Sequence, residues 1–180
     1  ILSKLQKNTK LSHIYIANII LSIHYFLIIY INSSSLERFF SERTVSMLYI
    51  AGSILGLTLF LTASKLTATY GVYRYLFTVT ALECAVTLGM AQFVSPLLIA
   101  WFFILHCALV PMILYSLDVY LEHATKKESS TGLIRGSYLT VTNIILVLSP
   151  LITGFILKHF SFENVYFLSV LMILPLFVVI

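Results

Sequence analysis

The sequence predicts an all-α integral membrane protein, a bundle of six transmembrane helices, on three observations. Of its 180 residues 59% are hydrophobic and 10% charged, with a mean hydropathy of +0.99, whereas soluble domains carry about 25% charge. The apolar residues gather into six runs, each near the roughly 20 residues that carry a helix across the hydrocarbon core. Stretches such as LIAWFFILHCALVPMILY show no alternation of polarity, which barrel strands of about 10 residues would require.

The expected spans are about 11–31, 44–64, 72–94, 96–121, 136–157 and 161–180, forming one bundle over 1–180 with a loop at about 122–135. The 13 Phe and 11 Tyr suit a chain that meets lipid and two interfaces. Lys4, Lys7, Lys10, Lys65, Arg74, Lys126, Lys127 and Arg135 fall on one side of these spans, against Arg38, Arg43 and Lys158 on the other. The excess of basic residues on the cytoplasmic side predicts a cytoplasmic N-terminus, in a cell (inner) membrane. The sequence pI near 9.1 is then a matter of topology, and no nucleic-acid partner is expected. Asn32-Ser33-Ser34 is a formal glycosylation sequon in the longest outer loop. Ile1 stands where an initiator Met would, and Ile180 ends an apolar run, so the natural chain is expected to continue.

Polar atoms inside the spans are the functional candidates. Glu83 lies near the middle of the third span, with Thr80 and Thr87 on its helical face at i, i+3 and i+7 spacing. A carboxylate at mid-bilayer costs about 2.5–3.5 kcal/mol on insertion scales. It must therefore face a polar cavity, find a partner or hold a proton, and the last allows proton coupling. In the first span Tyr15, Asn18, Ser22 and Tyr25 form a stripe that could line a solute path. His24, off that stripe, and His106, isolated in the apolar fourth span, are proton-relay candidates, each weighed against simple packing. Asp118 and Arg74 fall at the inner ends of spans four and three, where an ion pair would act as a cytoplasmic gate beside Gly71. Gly71 is expected in a tight turn where a Cβ would clash. Pro150 promotes a helix bend, with Gly154 one turn later allowing close contact. Gly52 and Gly56 make a G-x-x-x-G pair, suited to packing within the bundle or to dimerisation. Cys84 and Cys107 lack metal-type spacing; no metal or other cofactor is expected.

Two landmarks resemble the N-terminal half of a major facilitator superfamily transporter. Glu122 ends the fourth span and leads into HATKKESSTGLIRG, followed by SPLITG (Ser149 to Gly154), which is similar to the family's G-P-x-x-G-G with Ser149 and Thr153 in place of two glycines. SKLTATYGVYRYL (Ser64 to Leu76) resembles the loop G-x-L-a-D-r-x-G-r-k: Leu66 and Gly71 match, Arg74 keeps a basic charge, and Ala68 stands where the family has Asp. The resemblance implies one half of a major-facilitator-type fold. It further implies a second six-helix half, in the same chain or a second copy, with a small-molecule substrate between them.

The expected function is secondary active transport by alternating access, with proton-coupled efflux (antiport) ahead of uptake (symport). The rival is a non-transporting membrane chaperone or scaffold on a degenerate transporter fold, which Ala68 and the scarcity of embedded charge would suit. With no H-E-x-x-H, C-x-x-C or phosphate-binding Gly-rich loop in the sequence, an enzyme is not expected. The expected partners are the lipid bilayer, a small-molecule solute and a proton or other coupling ion.

Overall fold

The structure, a computed structural model, describes residues 2–92, 95–125 and 131–179, with side chains from Leu11 onward. Its helices are α1 (Leu2–Ile29), α2 (Asn32–Leu36), α3 (Glu42–Tyr70), α4 (Val72–Gln92), α5 (Pro96–Thr125), α6 (Thr131–Leu157), α7 (Phe162–Ile173) and α8 (Leu176–Val179). Among the described residues six stretches are long and apolar enough to cross a membrane: Leu11–Ile29, Glu42–Tyr70, Val72–Gln92, Pro96–Thr125, Thr131–Leu157 and Phe162–Val179. The chain is a multi-pass α-helical membrane protein. The expected span ends at 93, 94 and 180, the side chains of Lys4, Lys7 and Lys10, and Lys126 and Lys127 lie outside the described residues.

Local chemistry sets the helix ends. Ser41 caps α3 by accepting from the Thr44 amide at 3.4 Å, with Glu42 in the positive first turn. The α3–α4 joint is a single residue, Gly71, at φ 85° and ψ 144°. A Cβ built there meets nothing within 4 Å, so the expected clash is absent and the backbone conformation itself calls for glycine. Ahead of α7, Asn164 Oδ1 accepts from the Ser161 amide at 3.3 Å and from its hydroxyl at 2.8 Å. The sixth span was expected as one helix, yet it breaks between α7 and α8 at Pro175, which has no amide to donate to Leu171. By contrast α5 runs on through Pro111, and α6 through Pro150.

The packing repeats itself. α5 sits against α3 and α4; α1 sits against α6 and α7; α4 touches α7, and α1 touches α5. Exchanging α1, α3, α4 with α5, α6, α7 maps each of these interfaces onto another or onto itself. Each unit holds three of the six candidate spans, an odd number, so alternate crossing would set the second unit in the opposite sense to the first. Both α3 and α6, which are counterparts, leave most of their apolar surface uncovered, as at Leu57, Leu61, Val147 and Leu151.

The two matching flanks are built differently. Between α3 and α5 the G-x-x-x-G pair packs within the bundle: a Cβ on Gly52 would lie 2.6 Å from the Cys107 Cβ, and one on Gly56 3.4 Å from the Ala108 Cα. Between α1 and α6, Asn18 Nδ2 donates to Thr142 Oγ1 at 2.8 Å and to the Tyr138 carbonyl at 3.2 Å. Tyr15 donates to the Ile134 carbonyl at 2.7 Å, and Thr153 to that of Leu27 at 3.1 Å. In SPLITG, then, the buried Ser149 and Thr153 face the bundle, while Pro150 and Gly154 are exposed. Gly154 was expected to allow close helix contact, but a Cβ there would meet nothing within 4 Å. Spacing explains the correction: Ser149 and Thr153 share the inner stripe at i, i+4, which turns Pro150 and Gly154 outward.

Thermal unfolding in detergent should order three alanine substitutions. Gly52→Ala should cost about 1–3 kcal/mol through overpacking. Gly71→Ala should cost a similar amount, about 1–3 kcal/mol, through backbone strain. Gly154→Ala should be neutral or slightly stabilising, since alanine is the better helix former.

Candidate functional site

Helical periodicity puts Thr80, Glu83 and Thr87 on the inner face of α4, and none of the three is exposed. Three donors from three helices converge on a single carboxylate oxygen, Glu83 Oε1. Thr87 donates to it at 2.8 Å, His106 Nδ1 of α5 lies 2.5 Å away, and His24 Nε2 of α1 lies 3.2 Å away. Both imidazoles are fully buried. His24 is held from behind by α7: its Nδ1 lies 2.7 Å from Ser169 Oγ and 3.0 Å from the Ser169 carbonyl oxygen.

Mutual need explains the convergence. A buried carboxylate requires donors and a buried imidazole requires partners; together they remove each other's desolvation cost where water cannot. The second oxygen, Glu83 Oε2, and the Thr80 hydroxyl are buried with no hydrogen-bond partner among the described residues. The cluster therefore keeps one acceptor and one hydroxyl open to a further polar group.

Sequence reasoning picked out all three ionisable residues without joining them: His24 was placed off the polar stripe and His106 was read as isolated. A depth count could have found the trio. At about 1.5 Å per residue, His24, Glu83 and His106 lie roughly 20, 17 and 23 Å from the basic ends of their expected spans, within one helical turn of a common level. Ser169 was missed altogether; the signal was a lone serine in the apolar run VYFLSVLMI.

The stripe on α1 meets its neighbours in this conformation. Tyr15 and Asn18 are taken up by α6 as described, Ser22 is buried, and the Tyr25 ring stands 6.3 Å from that of His106. Asn32 of the sequon is buried and accepts from the Tyr166 hydroxyl at 2.9 Å. The gate expectation also needs correcting. Asp118 pairs with Arg135 Nη2 at 3.3 Å, and among the described residues no ion pair joins it to the exposed Arg74. The reason is local: Thr131 Oγ1 donates to the Thr125 carbonyl at 3.3 Å, which brings the first turns of α6 beside the last turns of α5 and delivers Arg135 to Asp118.

A cavity of about 380 Å³ lies at this same end, between the start of α1 (His13, Ala17), the end of α5 (Leu117, His123) and Val179 of α8. Leu21, Met112 and Ile113, all fully buried, occupy the core along the same two helices towards the Glu83 cluster. Among the described residues no group of three or more His, Cys, Asp or Glu side chains could hold a metal ion.

Comparison with known proteins gives no match: no family model, curated protein or solved structure aligns with the chain.

The Glu83 cluster and the Asp118–Arg135 pair should behave oppositely. Replacing Glu83 with Ala strands two buried imidazoles and should destabilise the protein by about 3–5 kcal/mol. A double-mutant cycle over Asp118→Asn and Arg135→Gln should give a coupling of at most about 1 kcal/mol, falling with added salt, because both side chains are exposed. Denaturation in detergent at two ionic strengths checks both.

Proposed function

We propose that this chain is a six-helix half of a secondary active transporter that couples proton movement to the passage of a small solute by alternating access. The observation that carries the reading is the buried Glu83 carboxylate held between His24 and His106, where α1, α4 and α5 meet. Acidic and imidazole groups within membrane spans mark proton and substrate pathways. A site that draws one group from each of three helices senses any relative movement of those helices. Protonation and helix position are thereby linked.

Three features support the finer reading. The exchange of α1, α3, α4 with α5, α6, α7, inverted under alternate crossing, is the arrangement found within each six-helix half of major-facilitator-type transporters. The uncovered apolar faces of α3 and α6 suit lipid and a second six-helix half, in the same chain or as a second copy. The open Glu83 Oε2 and Thr80 Oγ1 offer a solute its first polar contacts. The distribution of basic residues supports a cytoplasmic N-terminus in a cell membrane. Efflux of an amphipathic compound is the preferred direction, on the resemblance of SPLITG to the Gly-Pro element.

A non-transporting scaffold is the competing reading, favoured by Ala68 in the last turn of α3 and by the absence of an Arg74–Asp118 pair among the described residues. Proton release by detergent-purified protein on addition of a panel of amphipathic compounds separates the two. Wild type should release protons and Glu83→Gln, folded to the same extent, should release none. Absence of release from wild type would favour the scaffold.

A further inference from the structure

The contacts around His24 bear on where its protons sit. A carbonyl oxygen only accepts, so a hydrogen bond across the 3.0 Å between His24 Nδ1 and the Ser169 carbonyl puts a proton on Nδ1. The Ser169 hydroxyl agrees: it donates to the His24 carbonyl at 2.8 Å, which leaves its lone pairs to accept from Nδ1 at 2.7 Å. A neutral imidazole with its proton on Nδ1 has a bare lone pair on Nε2. That lone pair would point at Glu83 Oε1, itself an acceptor, 3.2 Å away in a site with no exposure. Two acceptors cannot share such a contact without a proton between them. His106 differs, because a neutral ring with its proton on Nδ1 already donates to Oε1.

We propose that this conformation holds one exchangeable proton on His24 Nε2, so that His24 is an imidazolium paired with the Glu83 carboxylate, and that Ser169 is the positioning residue that forces it there. Three donors on Oε1 suit an ionised carboxylate. The assignment deepens the transport reading, and rests on it for its role: this is the proton-loaded form, with the carrier on α1 and its counter-charge on α4. Loss of that proton leaves two facing acceptors for as long as Nδ1 keeps its own proton; relief then comes from α1 moving away from α4, or from the Ser169 hydroxyl turning to donate to Nδ1 while the ring proton shifts to Nε2. The other titratable groups around the pair are His106 and Cys107 of α5, Tyr25 of α1 and Cys84 of α4; α7 faces it with Ser169.

Nitrogen-15 NMR of histidine-labelled full chain in detergent micelles at neutral pH tests the assignment without any solute. Both ring nitrogens of His24 should carry protons in wild type, the signal being assigned by its loss in His24→Asn or, should that variant not fold, by its through-space correlation with Ser169. In Glu83→Gln the amide can donate to Nε2, and His24 should become neutral with its proton on Nδ1. A neutral His24 in wild type, in either tautomer, overturns the proposal. The result also separates the two readings: an imidazolium without solute-driven proton release keeps the assignment and removes transport, while a neutral His24 with proton release does the reverse.

Discussion

A carboxylate deep in a bundle of this composition has to be surrounded by donors, and those donors come from helices far apart in the sequence. Glu83 gathers Thr87 from its own helix, His24 from α1 and His106 from α5, and through His24 it reaches Ser169 of α7. Four of the six spans are thereby tied to one oxygen atom. The apolar contacts around them are non-directional and would tolerate small rotations of each helix. The hydrogen bonds do not, so they select one rotation for each of these spans.

The paired arrangement of the two units follows from the same demand. α1 and α5 are counterparts, and each presents one histidine to the centre; α4 and α7 are counterparts, and each presents one short polar group with an acceptor, Glu83 and Ser169. The exchange is imperfect at the chemistry: α4 carries a charge where α7 carries a hydroxyl. The site is thus one-sided, with the acid and the hydroxyl on opposite sides of His24.

The spans were readable because hydropathy and length are properties of single segments. The face shared by Thr80, Glu83 and Thr87 was readable from helical spacing alone. What stayed hidden was pairing between segments. Asp118 was assigned to Arg74 because both sit at inner helix ends, yet the short connection to α6 delivers Arg135 first. Pro150 drew attention as a bend, while the break came at Pro175, where the chain has no continuous helix to hold it in line. Gly154 and Gly52 look alike in sequence, and only the neighbouring helix tells them apart.

The two matching flanks of the bundle have a mechanical consequence. The α1–α6 flank is sewn by Asn18, Tyr15, Thr142 and Thr153, whose bonds fail if the helices slide by one residue. The α3–α5 flank is a seam of Gly52, Gly56, Cys107 and Ala108, with one long hydroxyl contact of 3.5 Å between Thr67 and Tyr115. Sliding would therefore break hydrogen bonds on one side, and on the other would displace two edge-to-face aromatic pairs, Tyr49–Phe103 and Phe60–Tyr115, beside the glycines. The two flanks thus hold together by different means, directional bonds on one and close backbone approach with ring contacts on the other.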